Sequence, residues 1–463
     1  MSRKQSVTVE GLSPAFPPYP HAVKAEGLVF VSGVRADQAG PPPQRFGDIP
    51  EAGRSKQQDF ALIDELEGVV SAESWSTHDH LEKVLAAAGS SGDQILRQHI
   101  WQRDKRFFPA YENVRKHWQP TPAPSSGLGV KHVAGRLDHW IGIDAIAVCP
   151  GENPVFGERT VVSEVDNKDL PSASHYSQAV SSGPLVFTAG HIAIKTAEPG
   201  MPLVDSFNDV PEEGRFLATG RSHPDSRDGP IAAQTWFVYN ELRRTLRSQG
   251  LDLEDTVNAT IFLADLRDLA TVHRVHRHFF NAAMPSLCLT GFDEVGHRGC
   301  RIEIELTALR RDAAIVRHSI DWPFATPYAA PGATQVGPLV FYSGMLGHDD
   351  SGRFVRAASG LPPEGRRIVE PIEEVEPRQG LAAQCWMALR NLEAVATTAG
   401  SSLADLAKMT VHLGDFDDLP AFETVRRHFI QDNDLPAFEC VIIEGPAPSS
   451  AGHVQIEAIG LAG

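Results

Sequence analysis

The chain has 463 residues, 42% of them hydrophobic and 22% charged, with a formal net charge of −17. That length exceeds what one hydrophobic core organises and implies about two to four domains. The acidic balance argues against nucleic acid as a partner, because such binders carry a basic footprint.

The five cysteines lack any Cys-x-x-Cys spacing, so reduced thiols are expected and neither a disulfide framework nor a zinc knuckle. No apolar run approaches the roughly 20 residues of a membrane helix. The charged start Met1-Ser-Arg-Lys-Gln-Ser6 has no apolar stretch behind it, and the cytoplasm is the expected location.

In chain order, the first segment opens with Gly27-Leu-Val-Phe-Val-Ser-Gly33, a β-rich run closed by glycine. An insertion carrying Asp48-Ile-Pro-Glu-Ala-Gly-Arg54 precedes an amphipathic helix over Leu81–Gly89. A strand over Ile95–Trp101 follows, then a helix ending Val114-Arg-Lys-His-Trp118, then an alternating strand over Trp140–Ile146.

The same order recurs twice. The runs Gly183–Gly190 and Gly337–Gly344 match the first strand. Trp236–Gly250 and Trp386–Gly400 match the helix, with glycines where a left-handed C-cap belongs. The strands Val257–Leu263 and Leu406–Leu413, the helix ends Val275–Phe279 and Val425–Phe429, and the strands Arg301–Leu306 and Val454–Ile459 complete the series. Landmarks in register at about 150–160 residues mean domain-sized repeats rather than solenoid units. The expected domains are 1–150, 165–312 and 313–463.

These residues resemble the RidA/YjgF family of enamine and imine deaminases. Pro18-Tyr-Pro-His-Ala-Val23 and His175-Tyr-Ser-Gln-Ala-Val180 are similar to its opening motif. Ala232-Ala-Gln-Thr235 and Ala382-Ala-Gln384 are similar to its first helix, and Pro436-Ala-Phe-Glu-Cys440 and Ile302-Glu-Ile-Glu305 to its closing strands. The resemblance implies an α+β, chorismate-mutase-like domain, a mixed sheet with two helices on one face. It also implies an intramolecular pseudo-trimer with clefts between repeats, and leaves further self-association open.

It further implies site positions. The opening tyrosine corresponds to Tyr19, Tyr176 and Tyr328, and the turn glycine to Gly33, Gly190 and Gly344. The second-helix position holds Glu112, His273 and Glu423, and the last-strand glutamate is Glu303, with Gln455 and Gly142 in the other repeats. Cys440 matches the family cysteine, and His191 follows the turn glycine of the second repeat. The family's carboxylate-gripping arginine is replaced by Pro124, Leu287 and Phe438. Glu303, His191, His273, Glu112 and Glu423 are the candidate acid/base groups, carboxylates and imidazoles being able to move protons.

The Pro-Glu-x-Gly-Arg motif of the insertions has two readings. Arg54, Arg215 and Arg366 either close a structural turn or reach the clefts as anion contacts from a lid. His273 and His276, one helical turn apart, have the spacing of a metal pair but no carboxylate or cysteine to complete it, so no metal and no cofactor are expected.

The expected activity is water addition to, or tautomerisation of, an imine, enamine or enol ether of a small molecule. The missing arginine counts against ordinary 2-aminoacrylate deamination. The alternatives are a non-catalytic pseudo-trimer binding a metabolite or protein, and an endoribonuclease-like activity that the acidic charge disfavours.

Overall fold

A computed structural model describes residues 3–463 apart from 55–63, 134–138, 154, 163–174, 197, 218–227, 282, 298, 312–313, 327–328, 376–377, 379 and 447. Among the described residues the strands form three seven-stranded sheets, one for each repeat. In the first, Leu28–Val34 lies beside the closing strand Ile141–Val148, which pairs antiparallel with Ile95–Gln102. That strand in turn pairs parallel with Ser125–Gly129. The second and third sheets repeat this order with Ile302–Leu309 against Thr256–Leu263, and Val454–Leu461 against Leu406–Leu413. Parallel pairing needs a crossover, and the second helix of each repeat supplies it: Phe108–Trp118, Leu269–Phe280 and Leu419–Arg426.

The first helices run Val69–Ala87, Asp228–Arg247 and Leu381–Thr398, longer at their N-terminal ends than the sequence pattern marks. Each stops at the expected glycine, Gly89, Gly250 or Gly400, with φ of 80°, 72° and 68°. The two helices of a repeat pack on each other, and the first also covers the closing strand.

One apolar core draws on all three repeats. Phe30 and Leu96 meet Phe187 and Val257, and Phe341 and Ala407 complete the cluster. Every one of these is essentially inaccessible to solvent. The repeats therefore pack as a pseudo-trimer with sheets inside and helices outside, and fusion makes the association intramolecular.

The motif in the insertions has a structural cause. In each repeat its glycine lies against the tryptophan of the first helix: Gly53 on Trp75, Gly214 on Trp236, Gly365 on Trp386. A Cβ on Gly214 would come within 2.5 Å of Val210 Cγ1 and 3.0 Å of the Trp236 ring. The adjoining arginines turn back on their own loops. Arg54 donates to the Gly47 carbonyl (2.8 Å), Arg215 to that of Asn208 (3.4 Å), and Arg366 to that of Ser359 (3.1 Å). The lid reading is corrected accordingly: these three guanidinium groups satisfy carbonyls of a turn, so the shared motif is a docking device for the insertion.

Candidate active site between repeats 1 and 2

Strand registers place the repeats on one another. Each inner strand carries a bulge after its first residue, so Gln98, Ala259 and Met409 are equivalent. Their parallel partners are Ser125, Leu287 and Phe438. Ser125, and not Pro124, therefore occupies the first repeat's arginine position. The short, irregular stretch before that strand hid the one-residue offset.

The turn glycines earn their place by proximity to a polar side chain. A Cβ on Gly344 would lie 2.5 Å from Gln455 Oε1, and one on Gly33 would lie 2.5 Å from Glu439 Oε2. On Gly190 it would collide with the Glu303 carboxylate. Glu439 reaches Gly33 from the third repeat because Gly142, at the glutamate position of the first, has no side chain to put there.

The clefts are unequal. Between repeats 1 and 2 lies a cavity of about 420 Å³. Repeat 1 contributes Lys105, Arg115 and Ser125 to its wall, and repeat 2 contributes Tyr176, His191 and Glu303. The two-residue strand Glu294–Val295 of repeat 2 pairs with Ser125–Gly129 of repeat 1 and ties the wall together.

Glu303 is 3% exposed and accepts a hydrogen bond from the Gly296 amide (3.2 Å). Burial raises its pKa to about 7 against the pull of Lys105, with Glu305 adding to the rise. Glu305 shares its face of the strand and is in the opposite state. Burial works against its charge too, but Arg97, His99 and the Ser126 hydroxyl hold its pKa down to about 2. His99 bridges Glu305 (3.1 Å) and Asp144 (3.3 Å), while Lys408 pairs with Asp144 from the third repeat. The two alternating glutamates are thus both buried at repeat boundaries, one locked in a salt-bridge network and one facing a cavity.

His191 lines the cavity but has both nitrogens near partners. Nδ1 lies 3.0 Å from the Ala189 carbonyl and Nε2 3.3 Å from Thr245 Oγ1. Burial lowers its pKa to about 4, so the ring is neutral near pH 7. His273 stands on the second helix of repeat 2 and is not part of the wall of this cavity. Its neighbour His276 is buried with Nδ1 2.6 Å from the Tyr239 hydroxyl. Glu112 sits behind the wall and pairs with Arg115 at 2.9 Å. Tyr176 lines the cavity, its pKa pushed up to about 12 by burial, with Glu303 contributing.

Between repeats 3 and 1 the cleft is filled. Phe438 stacks on Tyr19, and the Tyr19 hydroxyl donates to Glu423. Glu423 in turn pairs with Arg426 at 2.9 Å. Cys440 is buried, with its thiol pushed well up by burial. Between repeats 2 and 3, Leu287 takes the arginine position and Gln455 the glutamate position, so that cleft has no carboxylate at either. Tyr328 lies outside the described residues.

The Glu303 carboxyl and the turn glycine Gly190 thus meet in the wall of one inter-repeat cavity. Residues 167–310 match the profile of the endoribonuclease L-PSP family. The middle repeat is a RidA/YjgF-family domain. A 2-iminobutanoate/2-iminopropanoate deaminase of Escherichia coli is 27% identical over 151 residues, covering 32% of this chain and 97% of its own length. The chloroplastic Reactive Intermediate Deaminase A of Arabidopsis thaliana is 24% identical over 173 residues, covering 36% of this chain and 75% of its own length. A RidA crystal structure from an Antarctic Psychrobacter is 27% identical and covers 31% of this chain and 98% of its own, with a TM-score of 0.24. The RidA-like strand order recurs in the first and third sheets. No helix among the described residues is long and apolar enough to cross a membrane.

Proposed function

We propose that the chain is a RidA-like enzyme that adds water to an imine, enamine or enol ether of a small molecule, and that the cleft between repeats 1 and 2 does the work. The observation that carries this reading is Glu303, a buried carboxyl with a pKa of about 7 facing a cavity of about 420 Å³. Near neutrality such a group takes a proton as readily as it gives one. As carboxylate it removes a proton from water as the oxygen attacks the C=N carbon. As acid it returns that proton to the nitrogen to give the carbinolamine, whose hydroxyl proton then passes to the amine nitrogen as the C–N bond breaks, releasing ammonia and leaving a carbonyl. The E. coli relative's name describes such chemistry on 2-imino acids, which makes 2-iminobutanoate the first substrate to test.

The test is ammonia release from 2-iminobutanoate generated in the assay, with an enol ether panel beside it. Wild type should exceed the buffer rate, and Glu303→Gln should lose about 10²-fold or more. An undiminished Glu303→Gln enzyme, or a wild type inert on every member of the panel, overturns the reading.

A further inference from the structure

A guanidinium taken out of water is costly unless its fork meets anions or good acceptors. Arg115, on the second helix of repeat 1, has a side chain only 1% exposed, yet it forms part of the cavity wall. Its Nη2 meets Glu112 at 2.9 Å and donates to the His175 carbonyl, and Nη1 donates to Ser125 Oγ at 2.7 Å. Ser125 also lines the cavity, and its backbone carbonyl accepts from the Gly190 amide (3.2 Å). A hydroxyl that accepts from arginine keeps its own proton to donate.

The chain supplies its own controls. Repeat 3 has the same helix pair, Glu423–Arg426, but Phe438 stands where Ser125 stands and Tyr19 is stacked upon it. Repeat 2 has His276 in place of the arginine, bonded to Tyr239, and Leu287 in place of the serine. Buried arginine, small hydroxyl and open volume coincide between repeats 1 and 2.

We propose that Arg115 and Ser125 together recognise a carboxylate in this cleft, so that its substrates carry one beside the carbon that Glu303 serves. The guanidinium enters from a helix, and the strand contributes a hydroxyl short enough to leave room for the ligand. Glu112 supports the exchange. Burial pushes its pKa up to about 7 even against the pull of Arg115, so it can give up its charge as the ligand's arrives. The inference rests on placing the reaction in this cleft, but it concerns binding and is tested without turnover.

The probe is sodium 2-oxobutanoate, with its methyl ester as the uncharged control, titrated calorimetrically into the full chain carrying Glu303→Gln. The salt should bind more tightly than the ester. Adding Arg115→Met should weaken the salt about tenfold or more and leave the ester unchanged. Ser125→Arg on top of Arg115→Met should restore the preference, and Arg426→Met in place of Arg115→Met should not alter it. Absence of any preference for the salt, or a preference that survives Arg115→Met, overturns the proposal. Should Arg115→Met not fold, Ser125→Ala becomes the readout, with a several-fold loss for the salt expected and an unchanged affinity overturning it. Failure of the reaction assignment would show separately, as Glu303→Gln turning over at the wild-type rate while Arg115 still governs binding.

Discussion

The rings of Tyr19 and Phe438 lie 3.9 Å apart at an interplanar angle of 12°, and this stack plugs the cleft between repeats 3 and 1. The ring occupies the position the family resemblance assigns to arginine, so losing that arginine here meant closing a cleft. Phe438→Ala should cost about 3–5 kcal/mol of stability, as buried aromatic truncations do. If the cleft between repeats 1 and 2 does the work, as proposed, imine hydrolysis should keep its wild-type rate at temperatures where the variant is folded. Denaturant unfolding and the ammonia assay check the two halves.

Gly214→Ala should destabilise by about 1–3 kcal/mol, because the new methyl would come within 2.5 Å of the Val210 side chain and 3.0 Å of the buried Trp236 ring. Arg215→Lys, by contrast, should change stability by less than about 0.5 kcal/mol and leave substrate binding alone, since among the described residues the guanidinium meets the Asn208 carbonyl and the Phe207 ring of its own loop. A clear loss of binding in Arg215→Lys would revive the lid reading.

The rate should depend on pH through Glu303. If its carboxylate activates water, kcat/KM rises with pH along a limb centred near 7, where burial places the group, and flattens above it. Glu303→Gln should abolish that limb. A profile flat from pH 5 to 8 would exclude Glu303 as the base.

Glu439 gives a stability prediction with a fixed sign. Burial and the nearby Asp144 raise its pKa to about 8, above the roughly 4.3 of an unfolded glutamate. The stabilisation it brings is complete below the unfolded value and is lost as pH rises to the folded one, since the unfolded chain releases its proton first. Wild type should therefore lose stability relative to Glu439→Gln between about pH 4.5 and 8, and the gap should stay level beyond. Urea midpoints of the two proteins across that range measure it.

The repeat and its strand order were legible because each landmark rests on local chemistry, such as glycine at the helix ends and apolar runs at the buried strands. Glu303 was legible as a family position. The inequality of the clefts was not, because it depends on contacts between residues hundreds of positions apart. Phe438 reads as a lost arginine until Tyr19 is seen upon it, and Arg115 reads as one basic residue on a polar helix end until Ser125 is seen beside it. Glu303 and Glu305 have the same alternation in sequence. Their different states arise because Arg97, His99 and Ser126, delivered by another repeat, outweigh burial at Glu305, whereas at Glu303 burial outweighs the pull of Lys105. The insertion arginines misled for the converse reason: a motif shared by three repeats was shared for packing, through the glycine beside each arginine.

The proposal that the cleft between repeats 1 and 2 alone binds the ligand is most directly tested by the binding stoichiometry of sodium 2-oxobutanoate on the intact chain. Calorimetric titration should give one molecule per chain, abolished by Ser125→Phe, which puts the aromatic side chain of repeat 3 into the cleft of repeats 1 and 2. Two or three molecules per chain, or one that survives Ser125→Phe, would contradict it.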